Sequence, residues 1–274
     1  MKNKIVTLIF LILSYNIVFL LQDLFDSELQ IYLLGFRFNL FFLVNCIVIY
    51  FHRTRLVELK KYFNQFGRLK AWFISFVIPV FISALTLILI YALGYSFKFK
   101  KPEFLIEFGI SSLIDLPIYY IWNLPLLLSS LVVITLILED FKFLKVFGVC
   151  LLLSLCFISA KPVFTLSKFN PEYFSFLALV FAVLFYNLTI FKIYNSIWLT
   201  IFSVLISIYS FVLVFGSNNT FLIKTFFARM YSSWNGLFIF KKLDVYLIDL
   251  LYAGLMIIFA FLFFIFDKKK SNNL

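Results

Sequence analysis

The sequence predicts an all-α protein, a polytopic bundle of about eight transmembrane helices forming a single membrane domain over residues 1–274. Three observations predict it. Hydrophobic residues make up 64% of the chain and the mean hydropathy is +1.06, against about 45–50% apolar residues in soluble domains. The apolar residues gather in eight runs whose lengths approach the ~20 residues that cross a bilayer. Lys and Arg fall between the runs, where the positive-inside bias puts them, and not on a soluble face among stacking aromatics. The net charge of +11 is therefore no sign of nucleic acid.

In chain order, the basic start Met1 to Lys4 and the run 5–21 have the layout of a signal peptide. Gln22-Asp23-Leu24-Phe25 offers no small-residue cleavage site, so the run is expected to stay as a first helix. The second run, 31–51, carries Arg37, Asn39 and Asn45, and the loop after it, 52–70, has six Lys/Arg and one acid. That loop is expected in the cytoplasm. The third run is 71–95 and the fourth 109–138; Glu139 to Lys142 then lead into the fifth, 143–160, which Lys161-Pro162 should end. The sixth and seventh, 173–191 and 196–215, are separated only by Lys192 to Asn195, and the eighth, 245–266, closes on Asp267-Lys268-Lys269-Lys270. Eight spans put both ends on one side. With the N-terminus inside, 14 Lys/Arg lie inside and nine outside, so an N-in/C-in protein of a bacterial cytoplasmic (inner) membrane is expected. The outer loop 216–244 holds FLIKTFFARMY, 221–231, which reads either as an interfacial helix or as plain loop.

The fourth run is the unusual one, since it places Asp115, Pro117, Asn123 and Pro125 where lipid-embedded helix is expected. An acid at membrane depth costs about 2.5–3.5 kcal/mol on insertion scales and calls for a partner. Arg37 and Asp115 each lie about six residues into their runs, roughly 10 Å deep at about 1.5 Å per residue. They are expected to pair, with Tyr119 and Asn45 completing a polar cluster; otherwise Arg37 snorkels to the headgroups and Asp115 faces a water-filled crevice. Pro117 and Pro125 should kink or break the helix, as a packed bend or as the wall of a transport site. Cys46, Cys150 and Cys156 sit inside apolar runs without CxxC spacing, so they read as small buried hydrophobes. There is no Walker loop, nucleotide fingerprint or HExxH, and neither a metal nor another cofactor is expected.

Three further stretches carry a likeness. Ser111-Ser112-Leu113-Ile114-Asp115-Leu116-Pro117-Ile118-Tyr119-Tyr120 opens the fourth run, Phe157 to Lys161 ends the fifth, and Asn195-Ser196-Ile197-Trp198 enters the seventh. In this order they resemble the CPBP superfamily of intramembrane proteases, the CAAX-processing and bacteriocin-processing or Abi proteins. The resemblance implies an eight-helix fold with Glu-Glu-x-x-x-Arg on the fourth helix, Phe-x-x-x-His on the fifth and His-x-x-x-Asn on the seventh, which together activate a water. Here Asp115 stands for one glutamate, with Ile114 or Leu116 in the place of the other, and Tyr119 or Tyr120 stands for the arginine. Phe157 matches, Lys161 takes the histidine position, and Val204 and Ile208 take those of the second histidine and the asparagine. The family's route needs imidazoles and a general base within reach of one another, and the chain's single histidine is His52, beside Arg53 at the edge of the second run.

The function expected is therefore that of a pseudoenzyme: a subunit, chaperone or immunity-type partner of another membrane or secreted protein, surrounded by membrane lipids. An active or diverged protease of the family is the first alternative, and a small transporter or lipid-handling protein built on Asp115 and Arg37 the second.

Overall fold

Long apolar runs in lipid have no water to take their backbone hydrogen bonds, so they close those bonds along themselves. The computed structural model describes residues 4–24, 30–33, 36–99, 124–138, 146–151, 154, 171–215, 238–240 and 245–272. Its helices are α1 (Lys4–Leu24), α2 (Leu40–Phe51), α3 (Leu56–Asn64), α4 (Leu69–Ala92), α5 (Leu124–Leu138), α6 (Pro171–Tyr194), α7 (Ile197–Phe215) and α8 (Val245–Asn272). Residues 146–151 are helical as well. Among the described residues four helices are long and apolar enough to cross a membrane: α4, α7 and the greater parts of α6 and α8. A fifth is added if α2 and the helical stretch Arg53–Asn64, bent by 74°, count as one broken span. The protein is a helical integral membrane protein.

The second apolar run departs from expectation. Only its latter part is helical, while β1 (Gln30–Leu33) and β2 (Phe36–Asn39) form an antiparallel hairpin that pairs Tyr32 with Arg37. The reason is local. Phe36-Arg37-Phe38-Asn39 alternates apolar and polar residues with the period of a strand, and Gly35 costs a helix about 1 kcal/mol. Arg37 is thus on a strand ahead of α2, not two turns inside a helix. The 12 residues of α2 span about 18 Å at about 1.5 Å each, short of the ~30 Å hydrocarbon core. In the fourth run the described helix α5 opens at Leu124, with Pro125 in its first described turn. Residues 109–123, most of the fifth run and the 221–231 segment lie outside the described residues.

α6 is the centre of the bundle. From Leu179 to Phe191 nearly every side chain is buried, polar Asn187 and Thr189 included, which marks a helix surrounded on all sides. It packs most extensively on α8, whose Ile248, Tyr252, Ala253, Met256 and Ala260 recur every three to four residues as one buried stripe. Lipid tails are as apolar as leucine, so small residues and close packing, not hydrophobic burial, hold such helices together. Phe185 meets Phe147 at 5.3 Å and Phe261 at 5.5 Å between ring centroids, an aromatic layer joining residues 146–151, α6 and α8. α4 packs on α7 and α8 and leaves Phe73, Phe76, Val80, Phe81 and Ile88 exposed, a face suited to acyl chains.

Side-chain contacts orient the helices. Thr7 meets His52 and Tyr15 meets Asn45, so α1 and α2 are antiparallel. Asn45 meets Ser129 and Arg55 meets the Leu136 carbonyl, so α2 and α5 are parallel. Trp72 packs on Phe202 and Ser83 on Ser210, so α4 and α7 are parallel too. Strand β3 (Phe97–Phe99), just past α4, pairs antiparallel with β4 (Phe238–Phe240), just before α8, matching Phe97 to Phe240. The start of α1, the ends of α2 and α5, α3 and the α6–α7 junction therefore share one face, rich in Lys and Arg and hereafter the basic face. The 3₁₀ turn Arg53–Arg55 and α3 lie across it.

The link from α3 to α4 turns on Gly67, whose φ of +76° is the left-handed region. An added Cβ would meet its nearest neighbour, Leu199 Cδ2, at an ordinary 3.7 Å, so backbone strain alone sets the cost of a side chain. Gly67→Ala is expected to lose about 1–2 kcal/mol, read as a lower unfolding temperature in detergent.

Candidate functional site

The polar centre of the described structure lies where α1, α2 and α5 meet. On α1, Thr7, Leu11, Tyr15 and Val18 form one buried face; on α2, Asn45 and Val48 do, with His52 one turn further on. The Tyr15 hydroxyl donates to Asn45 Oδ1 at 2.6 Å, and Asn45 Nδ2 donates to Ser129 Oγ at 3.1 Å and to Ser130 Oγ at 3.0 Å. Ser129 Oγ in turn donates to the Leu126 carbonyl. Asn45 is fully buried, and both its amide protons and its carbonyl oxygen are engaged. Toward the basic face, Thr7 Oγ1 lies 2.8 Å from His52 Nε2. Burial, then the charges of Arg55 and Lys4, hold the His52 pKa below its usual 6.5, so the ring is neutral near pH 7.

A second polar layer joins α4, α7 and α8. Ser83 donates to Ser210 at 3.1 Å, and the Tyr252 hydroxyl donates to the Ser207 carbonyl at 2.9 Å. From the residue that precedes α7 onward, Ser196, Thr200, Ser203, Ser207 and Ser210 are all buried at spacings of three and four. On α6, the Tyr186 hydroxyl lies near Ser203 across the α6–α7 contact, and neither oxygen makes a well-formed hydrogen bond among the described residues. Asp249, one turn before Tyr252 in α8, is a fully buried carboxyl.

Of the residues singled out from sequence, Asn45 is in the polar centre, whereas Asp115 and Tyr119 lie outside the described residues. Arg37 is in β2. Phe157 and Lys161 also lie outside the described residues; Val204 is half-buried against the core and Ile208 is buried in α7. Among the described residues no group of three His, Cys, Asp or Glu comes together. Cys150 is a buried free thiol and Cys46 a half-buried one, while Cys156 is not described.

The α6–α7 junction has a plain local chemistry. Asn195 takes φ 51°, the left-handed turn that ends a helix, and its N–H donates to the Phe191 carbonyl. Ser196 caps α7, its Oγ accepting from the Leu199 N–H at 3.3 Å. Trp198 Nε1 donates to the Phe63 carbonyl at 3.0 Å, fastening α3 to α7. The chain matches no protein-family model, no curated protein and no solved structure.

Sequence reasoning missed Thr7, Tyr15, Ser129, Ser130 and Asp249. Thr7 with Tyr15, and Asn45 with His52, are polar residues at helical spacing inside apolar runs, a signal that was there to use. Asn45→Leu removes three hydrogen bonds and should cost about 1–2 kcal/mol, and Tyr15→Phe about 0.6 kcal/mol, both read from thermal unfolding in detergent. With its pKa lowered in the folded state, His52 binds a proton more readily when unfolded. Its contribution is then complete above pH 6.5 and lost as pH falls from 6.5 toward the folded value. The acid-side fall in unfolding temperature should shrink in His52→Gln.

Proposed function

We propose that the protein is a non-catalytic, CPBP-like protein with eight spans, N-in and C-in, which acts in a bacterial cytoplasmic membrane by binding another membrane or secreted protein as a subunit, chaperone or immunity-type partner. The helix directions are those that eight alternating spans require, with α2 and α5 parallel and α4 and α7 parallel. The dense Lys/Arg of 53–70 on the face shared with the start of α1 supports a cytoplasmic basic face. The observation that carries the binding role is where the single imidazole goes: His52 is buried against Thr7 at the basic face, while the positions the family gives to histidine and asparagine on α7 hold Val204 and Ile208, packed as apolar side chains. Asn45, the polar group nearest the bundle interior on α2, has its amide engaged by protein hydroxyls. A transport or lipid-handling role draws its support from Asp249, since a carboxyl within a spanning helix is costly and commonly functional.

The tagged protein, extracted in mild detergent, is expected to bring down one membrane or secreted protein in stoichiometric amount. Isolation alone, together with cleavage of a reporter peptide in lipid vesicles that His52→Gln abolishes, would overturn the assignment.

A further inference from the structure

The basic face carries a platform that the proposed function does not use. α3 turns away from α2 by 74° and so lies across the bundle end, not along it. Leu59 and Tyr62 anchor it from below, Tyr62 packing 5.2 Å from the Phe191 ring. Two tryptophans on different helices hold its C-terminal end: Trp198 donates to the Phe63 carbonyl and Trp72 to the Phe66 carbonyl, and Phe66 stacks on Trp198. The segment is fixed from three sides, so what it exposes is held in place.

It exposes two kinds of group together. Arg53, Lys60, Lys61, Arg68 and Lys70 are all exposed, against the single acid Glu58, which lies 3.8 Å from Arg55. Beside them Val57 is 77% exposed, Phe66 63% and Leu69 86%. Val57, Lys60 and Lys61 are three and four residues apart, on one side of the helix. A soluble acidic partner would answer the charges and leave these apolar side chains in water. The headgroup layer answers both, because apolar side chains enter the acyl boundary while lysine stems lie along it and hold their ammonium groups at the phosphates.

We propose that α3 and the turn after it form a site for anionic phospholipid headgroups, Arg53, Lys60 and Lys61 meeting the phosphates while Val57, Phe66 and Leu69 enter the acyl boundary. Such a site orders lipids of the basic-face leaflet around the end of the bundle. Cations near a membrane surface each strengthen binding to acidic lipid by about fivefold, and salt screens the effect.

The test is native mass spectrometry of the full chain in detergent with equal phosphatidylglycerol and phosphatidylcholine. Preferential retention of phosphatidylglycerol is expected, declining as salt rises and dropping by up to about fivefold per cation removed in Arg53→Gln/Lys60→Gln/Lys61→Gln. Equal retention of the two lipids overturns the proposal, as does a preference that persists in the triple variant. Displacement of the lipid by inorganic phosphate or an acidic peptide at equal concentration also overturns it, since the site would then take soluble anions. Should the triple variant fail to fold, salt decides on the unmodified chain, and a salt-independent preference counts against the proposal.

Discussion

The hydrogen bonds of Asn45 show the constraint on which the rest of the fold depends. A primary amide in hydrocarbon must find all its partners within the protein. Asn45 takes one from α1 and two from α5, so three helices distant in sequence are held at one depth and in one rotation. The same demand is met more locally elsewhere. Thr86, Thr135, Thr189, Thr200 and Ser207 donate to the carbonyl four residues back, which satisfies each hydroxyl without tying helices together. Most buried polar groups thus act as cross-links or satisfy themselves within their own helix, while Ser75, Tyr186 and Ser203 keep buried hydroxyls that do neither. The cross-links lie on α1, α2 and α5 and on the α4–α7–α8 contact.

The junction at Asn195-Ser196-Ile197-Trp198 is built by local helix-end chemistry. Asparagine in the left-handed turn, serine as cap and tryptophan clamping a neighbouring carbonyl are each explained by joining two long helices through two residues. Any membrane bundle with so short a link meets the same requirement. Capping chemistry by itself selects these residues at such a link.

Much of the architecture was legible from the residues, and the exceptions have physical causes. The helices at 69–92, 171–194, 197–215 and 245–272 follow from long apolar runs with few interruptions. The stretch 30–39 was misread because summed hydropathy ignores period: a two-residue alternation and a helical face can be equally apolar. Of the site, Asn45 stood out as an amide in an apolar run, but its partners Tyr15, Ser129 and Ser130 are 30 to 85 residues away in sequence. Pairings at that range are set by how helices pack, which no local pattern encodes. Asp249 was overlooked beside the more conspicuous Asp115, although both are acids in apolar runs.

The short ribbon of β3 and β4 has a consequence for assembly in time. Its two strands are some 140 residues apart in the chain, so β3 leaves the ribosome long before its partner exists. At about 5–20 residues per second, the interval is roughly seven to thirty seconds. During it α4 can insert while the segment beyond it keeps an unmatched row of N–H and C=O groups. Closing that ribbon also brings α8 back beside α4, adding a second contact to the one α4 already makes with α7.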